Sequence, residues 1–208
     1  MDKSANLPLT PHYPENEGPE GYNSAPAGLT AGRLGIWALI ASEIVLFAGL
    51  FGSFILMRMI HPEWSEEARH LNLVAGTLNS LVLLVSNFFM MKASGAAGAE
   101  NNDNVKKYLV LTMAMGVLFL GVKAFEYTAE FAHGEFPTSG GFWSFYFLMT
   151  GIHATHILGG LVALGLLLNR ALTGSMGNWK GRVAITGIYW SFVEVVWIFL
   201  FPMLYLLA

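Results

Sequence analysis

Five apolar stretches, each long enough to cross a bilayer, constrain this chain more than any other feature: Leu34–Ile60, Leu71–Met91, Tyr108–Phe131, Gly141–Leu168 and Val183–Leu207. About 20 apolar residues rising ~1.5 Å each cover the ~30 Å hydrocarbon core. Inside lipid every backbone N–H and C=O must find a partner within the structure, which leaves helices and closed barrels. Long unbroken apolar runs without two-residue alternation select helices. The expected fold is all-α, an integral membrane bundle of five transmembrane helices. His61-Pro62 ends the first span, because proline lacks the donor that continues a helix. The third span is the least uniform, with Lys123, Glu126 and Glu130 in its second half.

Short connections make charge readable as orientation. Of the 11 Lys and Arg, Lys3, Arg33, Lys92, Lys106, Lys107, Arg170, Lys180 and Arg182 fall on one side, Arg58 and Arg69 on the other, and Lys123 inside the third span. That bias places the first side, with the N-terminus, in the cytoplasm. The C-terminus is then periplasmic, on a face whose loops hold Glu63, Glu66, Glu67 and Glu135. A multi-pass membrane protein is the expectation. Residues 1–31 form a polar tail rich in Pro, Gly, Asn and Glu, expected to be disordered or partner-bound; residues 32–208 form the transmembrane domain. The tail has no apolar core, so the first helix is expected to serve as the membrane signal. A net charge of −3 gives no basic surface for nucleic acid, and the absence of cysteine removes disulfides and thiolate chemistry. Gly49 and Gly52 in the first span, and Gly159, Gly160 and Gly165 in the fourth, suit close helix packing, within this bundle or with another subunit.

The informative residues are polar ones in the membrane. A carboxylate or imidazole at mid-bilayer costs ~2.5–3.5 kcal/mol even on lenient insertion scales, so it needs a partner or a role. Glu43, Glu126, Glu130, His153, His156 and Glu194 are the candidates. Ser42 adjoins Glu43 and offers a hydroxyl. His153 and His156 share a helix face, as do Glu126 and Glu130, and Lys123 lies within ion-pair reach of Glu126. Glu43, His153, His156 and Glu194 are expected to form one internal polar cluster with Glu126 beside it. Lys123, Glu130, Ser42 and Ser191 are secondary members.

Three readings of these groups stay open: a structural lock, a proton relay, and a metal site. HxxH with several Glu is raw material for a carboxylate di-metal centre, but the Glu-x-x-His repeats of that architecture are missing. Only the fourth helix holds His well inside the membrane, which argues against haem held between helices. No nucleophile elbow, phosphate loop or HExxH motif occurs. No catalytic residue and no metal site of its own is therefore assigned, although a stand-alone membrane di-metal enzyme remains an alternative.

ALIASEIVLFAGLFGSF, LNSLVLLVSN, KAFEYTAEF, TGIHATHILGG and YWSFVEVVWIFLF occur in this order, one per span. Together they resemble subunit III of the haem-copper terminal oxidases, in the five-helix bacterial form. The resemblance implies a non-catalytic core subunit of a proton-pumping respiratory oxidase, in either a cytochrome c or a quinol oxidase. Haem and copper would sit in partner subunits I and II. This subunit would pack against subunit I, protect the enzyme during turnover, support proton uptake and bind phospholipid. Glu43 matches the family's carbodiimide-reactive carboxylate. Other respiratory-complex subunits are further candidate partners, and a nitric oxide reductase is an alternative host. Two positions depart from the family pattern: Ser191 stands where His is common, and Glu194 where Asp is common. The hydrogen bond made by that His must be lost or remade. Two N-terminal helices of longer members are also missing, so the lipid cleft they help form must be reduced or completed by a neighbour.

Overall fold

The computed structural model describes residues 31–173 and 180–206. Residues 1–30 of the expected 1–31 tail, and the far end of the fifth span at Leu207, lie outside the described residues, while Ala31 is the first residue of a helix. Helix α1 spans Ala31–Ile60, α2 Trp64–Ala68, α3 Leu73–Gly98, α4 Asn102–Ala132, α5 Gly141–Leu172 and α6 Lys180–Phe201; a π-helical turn, Pro202–Leu206, continues α6. Five of these helices are long and apolar enough to cross a membrane, so the all-α five-span bundle expected from the sequence is what the chain forms. The short α2 has no counterpart in the sequence reading.

The boundaries follow local chemistry. α1 stops at Ile60, just before His61-Pro62. Asn72 caps α3 by accepting from the Ala75 N–H at 3.0 Å, and Asn101 caps α4 from Asn104 at 3.1 Å. Each cap satisfies one of the N–H groups a helix start leaves open. Gly134 takes φ +88° after α4, where an L side chain would be strained. The Glu135 N–H then reaches back to the Glu130 carbonyl at 3.0 Å.

α3 and α4 form the most extensive helix pair, and α6 packs against α3, α5 and α1. Trp190 on α6 is the central wedge. A Cβ at Gly160 would stand 2.7 Å from its ring, and one at Gly116 2.9 Å, so two glycines make the notch it fills. Its Nε1–H donates to Ser86 Oγ at 3.1 Å, and that hydroxyl donates to the Thr112 carbonyl at 3.1 Å. One indole thereby joins four helices. Trp197 repeats the device, donating to Ser80 Oγ at 2.9 Å and meeting Phe119 edge-on at 4.8 Å. Interhelical polar bonds of this kind matter because lipid supplies no hydrophobic drive between helices.

Of the glycines named from the sequence, Gly160 makes the tight approach, while Gly49 and Gly52 on α1 have no atom within 4 Å of an added Cβ. α1 is the edge helix. Phe47 and Phe54 turn inward, but Val45, Leu56 and Met59 are exposed. At the C-terminal end of α1, Phe54, Trp64, Phe142 and Phe145 fasten α1 and α2 to α5, with centroid separations of 5.8–6.4 Å.

Candidate functional site

The polar residues singled out from the sequence fall into separate groups. Glu43 on α1 meets His156 on α5, with Oε2 2.8 Å from Nε2. His156 Nδ1 lies 2.8 Å from the Ile152 carbonyl one turn earlier, so Nδ1 carries a proton and donates it to that carbonyl. The Tyr189 hydroxyl donates to the His156 carbonyl at 3.1 Å and closes the group. Both partners stay partly open, with side-chain exposures of 19% for Glu43 and 16% for His156. The pair therefore sits on a shallow outward-facing hollow lined by Leu39, Glu43, Thr155, His156 and Tyr189, rather than in the core. Ser42 takes no part, because its hydroxyl donates to the Leu39 carbonyl at 2.7 Å.

Lys123 occupies the opposite situation. Its side chain is 5% exposed. Nζ donates to Glu126 Oε2 at 3.0 Å, Tyr146 Oη at 3.1 Å and Tyr205 Oη at 3.0 Å. An ammonium has three N–H donors, and all three are used. The Tyr205 hydroxyl in turn donates to Glu126 Oε1 at 2.5 Å, closing a ring across α4 and the π-helical turn. Aromatic rings of Tyr127, Tyr146, Trp197 and Tyr205 surround Nζ with centroids at 4.8–5.6 Å. Close aromatic faces add cation–π attraction that grows as water is excluded. Sequence spacing pointed to the Lys123–Glu126 pair but not to Tyr146 or Tyr205, which lie 23 and 82 residues away from Lys123.

The remaining candidates disperse. Glu194 is buried and shares Asn87 of α3 with Ser191. The Ser191 hydroxyl, at the position where the family pattern commonly has His, donates to Asn87 Oδ1 at 2.9 Å. His153 is 1% exposed, edge-on to Phe119 at 5.6 Å and tilted against Trp197 at 5.3 Å. Neither of its ring nitrogens meets a hydrogen-bonding partner among the described residues. Glu130 is buried near the C-terminal end of α4, in the electrostatic neighbourhood of Glu126, His133, Glu135 and His70. Outside the membrane, burial pushes the Glu67 carboxyl up, and Glu135 and Glu63 push the same way. The structure thus joins Glu43 to His156, and Lys123 to Glu126, without gathering the candidates into one cluster. No group of three or more His, Cys, Asp or Glu placed to hold a metal occurs among the described residues.

The order of spans and the geometry can be set beside known proteins. The sequence profile of the family described as Cytochrome c oxidase subunit III matches residues 21–208. Cytochrome c oxidase subunit 3 of Thermostichus vulcanus is 34% identical over 177 residues, covering 84% of this chain and 87% of the relative. The protein of the same name from Synechocystis sp. is 34% identical over 179 residues, covering 83% and 74%. Probable cytochrome c oxidase subunit 3 of Mycobacterium bovis is 33% identical over 174 residues, covering 82% and 84%.

Proposed function

This chain belongs to the cytochrome c oxidase subunit III family, and from that premise we propose that it is a non-catalytic core subunit of a proton-pumping haem-copper respiratory oxidase. Haem and copper belong to partner subunits I and II. Here the chain stabilises subunit I, supports proton uptake and carries bound phospholipid in the bacterial plasma membrane. Its N-terminus is cytoplasmic and its C-terminus periplasmic, in keeping with the charge bias of the loops.

The observation that carries the reading is the family match over residues 21–208, which takes in all five spans. Two features of the structure support it. The core polar groups are mostly consumed by internal bonds, as in the Lys123 ring and the Trp190–Ser86 link, which suits a packing role. Polar function is left at the edge, where Glu43 and His156 form a half-open pair on the α1–α5 face. A carboxylate beside an imidazole can pass a proton over one hydrogen bond, so this pair is the proton-handling site in the proposal. Gly49 and Gly52 leave room on α1 for a neighbouring helix.

Mild-detergent extraction followed by affinity purification of this chain tests membership. Haem-bearing subunit I and copper-bearing subunit II should follow it in equal amounts; recovery of this chain alone without haem would refute the assignment. Orientation is testable separately because the chain has no native cysteine. A cysteine introduced at Ser65 should react with an impermeant maleimide from the periplasmic side, and one at Ala99 should react only after the membrane is opened.

A further inference from the structure

Buried polar atoms without partners gather around one aromatic pair in the core. Both ring nitrogens of His153 and the Oδ1 of Asn79 meet no hydrogen-bonding partner among the described residues. Neither side chain reaches the surface, His153 being 1% exposed and Asn79 0%. Asn79 on α3 donates from Nδ2 to the Phe119 carbonyl at 3.3 Å, and the adjacent Ser80 accepts from Trp197 Nε1 at 2.9 Å. The Phe119 and Trp197 rings stand edge-on at 4.8 Å. His153 on α5 lies 5.6 Å from the first ring and 5.3 Å from the second. Unmet polar side chains from two helices therefore border rings from two others.

Rearranging the groups already there does not satisfy these atoms. Turning the Asn79 amide over would set Oδ1 against the Phe119 carbonyl oxygen, acceptor against acceptor. A neutral imidazole needs one donor and one acceptor from its surroundings, and an imidazolium needs two acceptors. The nearby hydroxyls already donate elsewhere: Ser80 to the Gly76 carbonyl at 2.9 Å, and Thr150, one turn before His153, to the Tyr146 carbonyl at 2.6 Å. A side chain from another subunit cannot reach so enclosed an imidazole without unpacking the bundle. His153 also belongs to no group of three His, Cys, Asp or Glu placed to hold a metal among the described residues. What fits is a small neutral molecule that both donates and accepts. Water is such a molecule, and buried polar atoms of this kind are its usual partners. Asn79 also stands on the wall of a cavity of about 370 Å3 between α3 and α4, otherwise lined by Leu, Val and Met, which supplies room beside it.

We infer that His153 and Asn79 form an internal hydration site, with buried water bonded to the His153 ring nitrogens and donating to Asn79 Oδ1. Every partner belongs to this chain, so the site does not depend on the oxidase assignment. The electrostatic neighbours of His153 are His156 on the same helix and Lys123 on α4. Water therefore makes His153 a group that can give and take a proton within electrostatic reach of both the Glu43–His156 pair and the Lys123 ring.

Solid-state NMR of the full chain tests it, with isotope label on the histidine ring nitrogens and the protein in phosphatidylcholine bilayers. Magnetisation transferred from water should reach the His153 nitrogens, and the unprotonated one should show the shift of a hydrogen-bonded acceptor. H153F identifies the His153 signal by its loss. N79L keeps similar bulk but removes Oδ1, and most of the water transfer to His153 should go with it. A His153 signal with no water transfer and the shift of an unbonded nitrogen would overturn the proposal. So would water transfer that is unchanged in N79L, because Asn79 would then not share the site. Melting gives an independent reading. Removing polar atoms that have no partner stabilises a core, so a higher melting temperature in H153F than in the wild type would also overturn it, whereas a lower one is expected. If the variants do not accumulate, contact with the labelled Trp197 ring identifies the His153 signal, and the wild-type water transfer decides alone.

Discussion

Replacing Lys123 by methionine should be the most damaging single change in the bundle. The substitution keeps side-chain length and apolar bulk but removes the positive charge. Glu126 would then keep the Tyr205 hydroxyl bond but lose its counter-charge at a site where its own side chain is 2% exposed. Tyr146 and Tyr205 would each lose a donor. Removing one partner of a buried ion pair costs ~3–5 kcal/mol, because the other charge is left uncompensated. Membrane proteins fall toward the lower end, since the unfolded chain in lipid also finds partners. At ~2–4 °C per kcal/mol for a chain of this size, K123M should lower the melting temperature by roughly 6–20 °C.

The decisive comparison is with K123M/E126Q. Taking out both charges removes the uncompensated carboxylate, and neutralised pairs of similar volume are often no less stable than the original. The double variant should therefore melt higher than K123M. Thermal denaturation of the detergent-solubilised chain, followed by tryptophan fluorescence, reads this directly because Trp197 borders the ring. A K123M loss below ~1 kcal/mol, the range of exposed pairs, would refute the view that the ring is desolvated. A double variant as unstable as the sum of the single ones would refute the charge-compensation argument.

Other outcomes follow from the same structure. S86A leaves the Trp190 N–H without its acceptor, which should cost ~1–3 kcal/mol in the same melt, with W190F/S86A recovering part of it. G160A forces a Cβ to 2.7 Å from Trp190 and should cost ~1–3 kcal/mol by overpacking. G49A and G52A meet open space and should gain up to ~1 kcal/mol from helix propensity; if they instead release subunit I on purification, α1 is the partner face. Glu67 carries a raised folded-state pKa, so the folded chain binds more protons than the unfolded one between the usual carboxylate pKa and the raised value. Stability from this group should be greatest below that window and decline as pH rises through it. E67Q should flatten the pH dependence of the melt and raise stability at neutral pH, and an unaltered pH profile would remove Glu67 as its source.

What the sequence disclosed depended on the range of the interaction. Hydropathy over about 20 residues marks a span without tertiary information, because the bilayer sets the length. The five spans were therefore legible, as was the stop at His61-Pro62. Local spacing also carries to Lys123 and Glu126, which lie three residues apart and meet on one helix face. Depth in the membrane gives no rotation about the helix axis, and rotation is what separates the polar residues. Glu43 and His156 face one edge, Glu194 turns to Asn87 on α3, and His153 turns into the rings of Phe119 and Trp197. Within α5 the two imidazoles are three residues apart, roughly 60° short of a full turn at 3.6 residues per turn. That offset sends His156 to the partly open edge, where it meets Glu43, and His153 into an aromatic layer. The HxxH motif is thus split between an accessible group and an enclosed one, a division of roles that only the packing of α1, α4 and α6 around α5 creates.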